Sequence, residues 1–331
     1  MFNSESMKET WQQALSELVT DPKELFALLD LDPALLNEAY AVAKSFPLKV
    51  PRGFINLIQK ANPHDPLLKQ VLPLGVELDA IPGFSTNPLL ETEANPLPGL
   101  LHKYHGRVLV ILTSACAIHC RYCFRRHFPY EKNNSGKKGW QKIYAYIRQD
   151  TTIKEVILSG GDPLSVSDQL LKSFTDELHS IPHVLRLRIH TRLAVVLPQR
   201  VTDEFLKWIA QLHIHPIIVI HANHPNEIST EVKQALQRLQ LAGATLLNQS
   251  VLLQGVNDDA QVLIELSEVL FAAGVLPYYL HTLDKVQGAA HFDVNLKRAR
   301  ELHSELCQRL PGYLVPKLVC EQSGQLSKIL L

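Results

Sequence analysis

Three cysteines fall within eight residues, Cys116-Ala-Ile-His-Cys120-Arg-Tyr-Cys123. Thiolates on one short loop can converge on a soft metal centre. A structural zinc site wants four ligands, and the remaining cysteines, Cys307 and Cys320, are distant in sequence. Three ligands to an iron–sulfur cubane leave one iron open to a small molecule. The competing readings are a zinc site and three buried thiols acting as small apolar groups. The flanking Arg121, Arg125 and Arg126 weigh towards the cluster. A second segment, Ser159-Gly160-Gly161-Asp162-Pro163-Leu164, would let backbone groups approach a ligand amine closely, although Gly-Gly-Asp-Pro alone is just a turn.

These residues need a frame. From about residue 105, six short apolar runs appear: Val108–Thr113, Glu155–Ser159, Leu185–His190, Ile217–His221, Thr245–Leu252 and Pro277–His281. Helical stretches near 137–149, 167–179, 202–212, 227–241, 258–273 and 293–309 separate them. Apolar strands alternating with helices indicate a parallel sheet covered on both faces. Six such units are two short of a closed eight-unit barrel, so an α/β fold with a partial, open (β/α)6 barrel is expected. The cysteine loop follows the first strand and the Gly-Gly segment the second, on the face where barrel enzymes do chemistry. His221 and His224 have metal-like spacing but read as polar lining of that face. His119, inside the cysteine loop, reads as a packing or capping residue.

Residues 1–95 form an expected helical accessory region, with helices at 7–19, 22–29 and 34–45 and a helix start at Asp32-Pro33. The Pro-rich stretch 46–100 reads as a wrapping segment with short helices. The barrel is expected over 96–310 and a C-terminal segment over 311–331. Of the 331 residues, 46% are apolar and 20% charged, ample for a core. Lys+Arg 33 balances Asp+Glu 33, so no basic field would drive binding to nucleic acid or a membrane. The first residues lack the apolar stretch of a signal peptide, and no run of 18 apolar residues suggests a membrane span. Five cysteines disfavour a disulfide framework. A cytoplasmic enzyme is the expectation, with homo-oligomer formation left open.

The CxxxCxxC after the first strand resembles the radical S-adenosylmethionine superfamily, and Ser159–Leu164 resembles its Gly-rich cofactor motif. The resemblance implies a [4Fe-4S] cluster on Cys116, Cys120 and Cys123. S-adenosyl-L-methionine would bind its open iron and be cleaved to a 5'-deoxyadenosyl radical, with Ser159, Gly160, Gly161, Asp162 and Tyr122 in the cofactor site. Cys123-Phe-Arg125-Arg126, Val196–Arg200, Asn248–Asn257 and Gly312–Pro316 narrow the likeness to lysine 2,3-aminomutase and its shorter relatives. The similarity is strongest to the branch that makes (R)-β-lysine for modification of elongation factor P by a separate ligase.

That family adds pyridoxal phosphate, held as a Schiff base by a lysine matching Lys328, with Lys317 the rival in the same segment. Arg107, Lys103, Asn248 and Gln249 match its pyridoxal phosphate contacts. Arg125 matches the arginine for the substrate carboxylate, and Asp284 an acid for the distal ammonium of L-lysine. Glu321 stands where those enzymes place a second Asp. The segment before Lys328 departs from the family's run of glycines, keeping only Gly324. The implied activity is an isomerase moving an amino group between adjacent carbons, supplied with electrons by flavodoxin or ferredoxin. The same chemistry on glutamate or arginine, and a non-catalytic iron–sulfur protein, are the alternatives; Asp284 opposes glutamate.

Overall fold

The computed structural model describes residues 10–133 and 136–331; residues 7–9 of the first expected helix lie outside them. The sheet runs in sequence order from β1 to β9. Its strands are β1 Leu100–Tyr104, β2 Arg107–Thr113, β3 Glu155–Gly160, β4 Arg186–Thr191, β5 His215–Ile220, β6 Thr245–Val251, β7 Leu276–His281, β8 Lys317–Cys320 and β9 Ile329–Leu330. β2 to β8 pair in parallel. β1 and β9 add antiparallel edges, and no pairing joins the two ends, so the barrel is partial and open.

The six expected βα units are all present, and the sheet then gains one parallel strand, β8, from the C-terminal segment. The connecting helices begin where short polar side chains can take up free backbone N–H groups. Ser167 caps Asp168–Leu178, Thr202 caps Asp203–Ala210 and Ser229 caps Thr230–Leu241. Asp259 caps Ala260–Ala272, and Asn295 caps Leu296–Arg309. β3 is buried along nearly its whole length, as a strand between helical layers must be. Among the described residues no helix is long and apolar enough to cross a membrane.

The accessory helices are Trp11–Ser16, Pro22–Leu29 and Leu36–Ala43, followed by short turns of helix at Arg52–Ile55 and Pro66–Lys69. Asp32-Pro33 opens a 3-10 turn that leads into the third helix. The core of this region is continuous with that of the barrel. Leu25, Leu29, Phe54 and Leu68 belong to the same buried cluster as Val156, Leu187 and Leu246 of the barrel. Arg200 is fixed between Trp11 and Phe205, with its guanidinium 4.5 Å from each ring centroid.

Candidate functional site

A cavity of about 550 Å³ runs down the open barrel. Its rim holds Cys116, Cys120 and Cys123, and its far end reaches Arg107 at the start of β2 and Lys317 at the start of β8. Of the expected site residues, Ser159, Gly160, Gly161, Asp162, Tyr122, Arg125, Lys103, Arg107, Gln249, Asp284, Glu321 and Lys328 all line it. Asn248 is the exception. Its side chain bonds Ala222 N at 2.9 Å, Ala222 O at 3.1 Å and Ser250 Oγ at 2.8 Å, tying β6 to the turn after β5.

The cysteine loop is held from below by the Gly-Gly segment. Gly161 N donates to Thr113 O, and Asp162 N to Ala115 O, both at 2.8 Å. A Cβ on Gly161 would stand 2.4 Å from Ala115 O, so only glycine lets β3 pass this close. The expected approach to a ligand amine is thus first an approach to the cysteine loop. Asp162 is likewise engaged by the protein. Its carboxylate accepts from Thr191 Oγ1 and from the backbone N–H groups of Leu164, Arg192 and Leu193. Burial pushes the Cys116 thiol up, with Asp162 adding to it, and burial followed by Cys120 pushes Cys123 up to about 11. Apolar burial therefore favours neutral thiols until a cation arrives.

Among the described residues no three His, Cys, Asp or Glu side chains chelate a single metal ion. A cubane takes each thiolate on a different iron, so three thiols on one loop facing one cavity fit a cluster rather than a mononuclear site. Tyr122 stacks on His221 with ring centroids 5.6 Å apart, and its hydroxyl meets His221 Nε2 at 2.9 Å and Asn223 Nδ2 at 2.7 Å. His221 lines the cavity, whereas His224 accepts from Asn226 N and caps a turn. His119 packs on Phe46 and meets Pro47 O, as expected.

Beside the cysteine loop, at the C-terminal ends of β3, β7 and β8, lies a ladder of alternating charges. Arg125 donates Nε and one terminal nitrogen to Glu91, each at 2.8 Å, and its other terminal nitrogen to Ser159 Oγ at 3.1 Å. Lys103 lies between Glu91 at 3.4 Å and Glu321 at 3.0 Å, and Lys328 Nζ meets Glu321 at 2.5 Å. Burial works against the ionised form of Glu91, but Arg125 outweighs it and lowers the pKa. Burial also opposes ionised Glu321, yet Lys328 and Lys103 hold it well below the usual carboxylate range. Among the described residues no such cation contacts the Asp284 carboxyl. Burial, then the Glu321 charge, pushes it up to about 7. His190 and His281 line the same side and are kept neutral chiefly by burial.

Sequence reading missed Glu91, which sits in the Pro-rich stretch with no spacing to mark it. It placed Arg192 after a strand on the chemical face but gave it no role; its guanidinium meets both Cys120 Sγ and Tyr122 Oη. Lys103, expected at a phosphate, is committed to two carboxylates. Arg107 stacks on Tyr104 at 4.6 Å and has no acidic partner among the described residues.

Residues 104–183 match the family model of the 4Fe-4S single cluster domain. The chain is 49% identical to the L-lysine 2,3-aminomutase of Haemophilus influenzae, over 98% of this chain and 96% of that one. It is 49% identical to the Escherichia coli enzyme of the same name, over 97% and 94%. The Clostridium subterminale enzyme is 36% identical over 95% of this chain and 76% of its own length. A solved radical SAM methyltransferase from Sphaerobacter thermophilus aligns over 69% of each chain with a TM-score of 0.46 and 18% identity. With near-complete coverage by relatives at such identity, the chain belongs to the L-lysine 2,3-aminomutase family of radical S-adenosylmethionine isomerases.

Proposed function

We propose that this protein is a pyridoxal phosphate-dependent radical aminomutase that converts L-α-lysine to β-lysine. One observation carries the reading: the three cysteines and Lys328 face a single cavity, so anchors for both cofactors reach one substrate. Cys116, Cys120 and Cys123 would hold the cluster. Lys328 would hold pyridoxal phosphate, with Arg107 at the deep end free to meet its phosphate. The cluster and S-adenosylmethionine supply a carbon radical able to take an unactivated hydrogen, and pyridoxal phosphate supplies an aldehyde that activates the migrating nitrogen.

The chain's own residues orient and shield. Arg125 presents a terminal nitrogen to the cavity beside Ser159 and can grip a carboxylate there once Glu91 yields or shares. Asp284, half-buried and unpaired among the described residues, is matched to a distal ammonium, and a cation arriving beside it favours its ionised form. Glu321 is within reach of the proton on Lys328 Nζ, which Lys328 must shed before its nitrogen can bond a carbonyl carbon. A glutamate in place of lysine would bring a carboxylate against Asp284. An external one-electron donor such as flavodoxin or ferredoxin would reduce the cluster. The product, in the R form, would feed a separate ligase acting on elongation factor P; this rests on the likeness of the motifs.

The test is anaerobic reconstitution with iron, sulfide, pyridoxal phosphate, S-adenosylmethionine, a reductant and a panel of amino acids. Lysine should yield β-lysine, and borohydride followed by peptide mapping should label Lys328. A label on Lys317 or Lys285 would move the anchor. A loaded cluster with no β-amino acid from any substrate would overturn the reading.

A further inference from the structure

Arg192 follows β4 and is buried beside the cysteine loop, only 6% exposed. Its backbone N–H is fixed by Asp162 at 2.7 Å. One terminal nitrogen donates to Gln70 Oε1 at 2.7 Å and Glu227 Oε2 at 2.9 Å. The other donates to Tyr122 Oη at 2.6 Å and touches Cys120 Sγ at 2.7 Å, leaving no room for a group between them. Glu227 is the sole carboxylate in contact among the described residues, and its charge is shared. Its Oε1 accepts from Asn223 N, His224 N and Gln70 Nε2. The guanidinium is therefore only partly neutralised where it meets the sulfur. Cys116 and Cys123 have no charged donor at their sulfur among the described residues.

We propose that Arg192 tunes the iron–sulfur cluster by donating a charge-assisted hydrogen bond to the Cys120 sulfur, raising its reduction potential. This rests on the reading of Cys120 as a cluster ligand. Adding one electron from an external reductant places one more negative charge on the cluster. A buried cation with an N–H on a ligand sulfur stabilises that reduced form more than the oxidised one. Arg192 is a positioning and tuning residue, since it acts through Cys120. Gln70, from the accessory region, makes the contact dependent on that region as well.

The experiment reconstitutes wild type, Arg192→Gln, Arg192→Lys and Glu227→Gln with iron and sulfide, without S-adenosylmethionine. It measures iron per chain and the midpoint potential by EPR-monitored titration. Arg192→Gln should shift the potential to more negative values, and Arg192→Lys should recover part of the shift. Glu227→Gln removes the opposing charge and should shift it to less negative values. Wild type without a cluster would sink the cluster reading itself. A wild-type potential in a loaded Arg192→Gln protein would overturn the tuning alone. Should Arg192→Gln fail to load iron, Glu227→Gln decides: an unchanged or more negative potential overturns the proposal.

Discussion

Two sides of the cavity are built on different principles. Around the cysteine loop, polar groups are locked into partners supplied by the protein. Arg121 meets Glu77 through two nitrogens, Arg126 meets the same carboxylate, and both arginines lie over the Phe46 ring. Around Lys328, charges also alternate, but Asp284 lacks a partner among the described residues and the pairs face open cavity. The first arrangement suits a group that must sit in one place through every turnover. The second suits a ligand that arrives with its own charges and displaces existing pairs. Preorganisation on one side and exchangeability on the other is the division of labour that a radical enzyme needs.

The comparison is sharpest at its extremes. Cys120→Ala should abolish cluster loading and turnover while the circular dichroism of the folded protein persists. Full iron content and activity in that variant would remove the cysteine side from the comparison altogether. Glu77→Ala leaves two buried arginines facing each other. Loss of one partner from such a pair typically costs about 3–5 kcal/mol, so a large drop in the urea midpoint is expected. A drop no larger than that of an exposed pair such as Lys172–Asp176 would show that the rigid side is not rigid for this reason.

On the exchangeable side, Asp284→Asn should lower kcat/KM for lysine by roughly two to three decades, at about 1.4 kcal/mol per decade. Its melting temperature should rise rather than fall at neutral pH, since no cation loses its partner and an ionised carboxyl held at a cost is removed. Unchanged kcat/KM would take Asp284 out of the substrate's grip.

The smallest effect is the most specific. Asp284 takes up its proton near pH 7 in the folded, ligand-free protein, above its ordinary value. Below that pH a lysine ammonium must displace the proton, so affinity should fall by up to about tenfold per pH unit as pH drops from 7. Stability runs the opposite way. Because the native carboxyl binds its proton more tightly than the unfolded one, its contribution is largest at acid pH and declines as pH rises to about 7. Lysine binding followed by calorimetry from pH 5.5 to 8.5 checks this, and Asp284→Asn should flatten the profile. A wild-type profile already flat would place the Asp284 carboxyl outside the binding event.

The cysteine loop and the βα alternation were legible in sequence because each is a local pattern. Spacing puts Cys116, Cys120 and Cys123 on one turn of chain, and period and caps mark each helix. β8 escaped notice because it is four residues long and is defined by its partner β7 rather than by its own pattern. Asn248 and Gln249 are neighbours on β6, so they leave the sheet on opposite sides, and both could not serve the cavity equally. Glu91 and the role of Arg192 were invisible for another reason. Glu91 acquires its meaning from Arg125 and Lys103, and Arg192 from Gln70 in the accessory region and Cys120 on the loop. Contacts between residues so far apart along the chain leave no periodic trace.

The shared core of the accessory region and the barrel also sets a problem during synthesis. The N-terminal helices leave the ribosome first, but the buried cluster that holds Leu25, Leu29 and Leu68 also takes in residues of strands made much later. Trp11 must wait for Arg200 and Phe205, roughly two hundred residues on, which at about 5–20 residues per second takes on the order of ten to forty seconds. For that interval the nascent chain carries an apolar face whose cover is incomplete. Holdase chaperones that bind emerging apolar segments should therefore set the yield of soluble protein more than the stability of the finished molecule does.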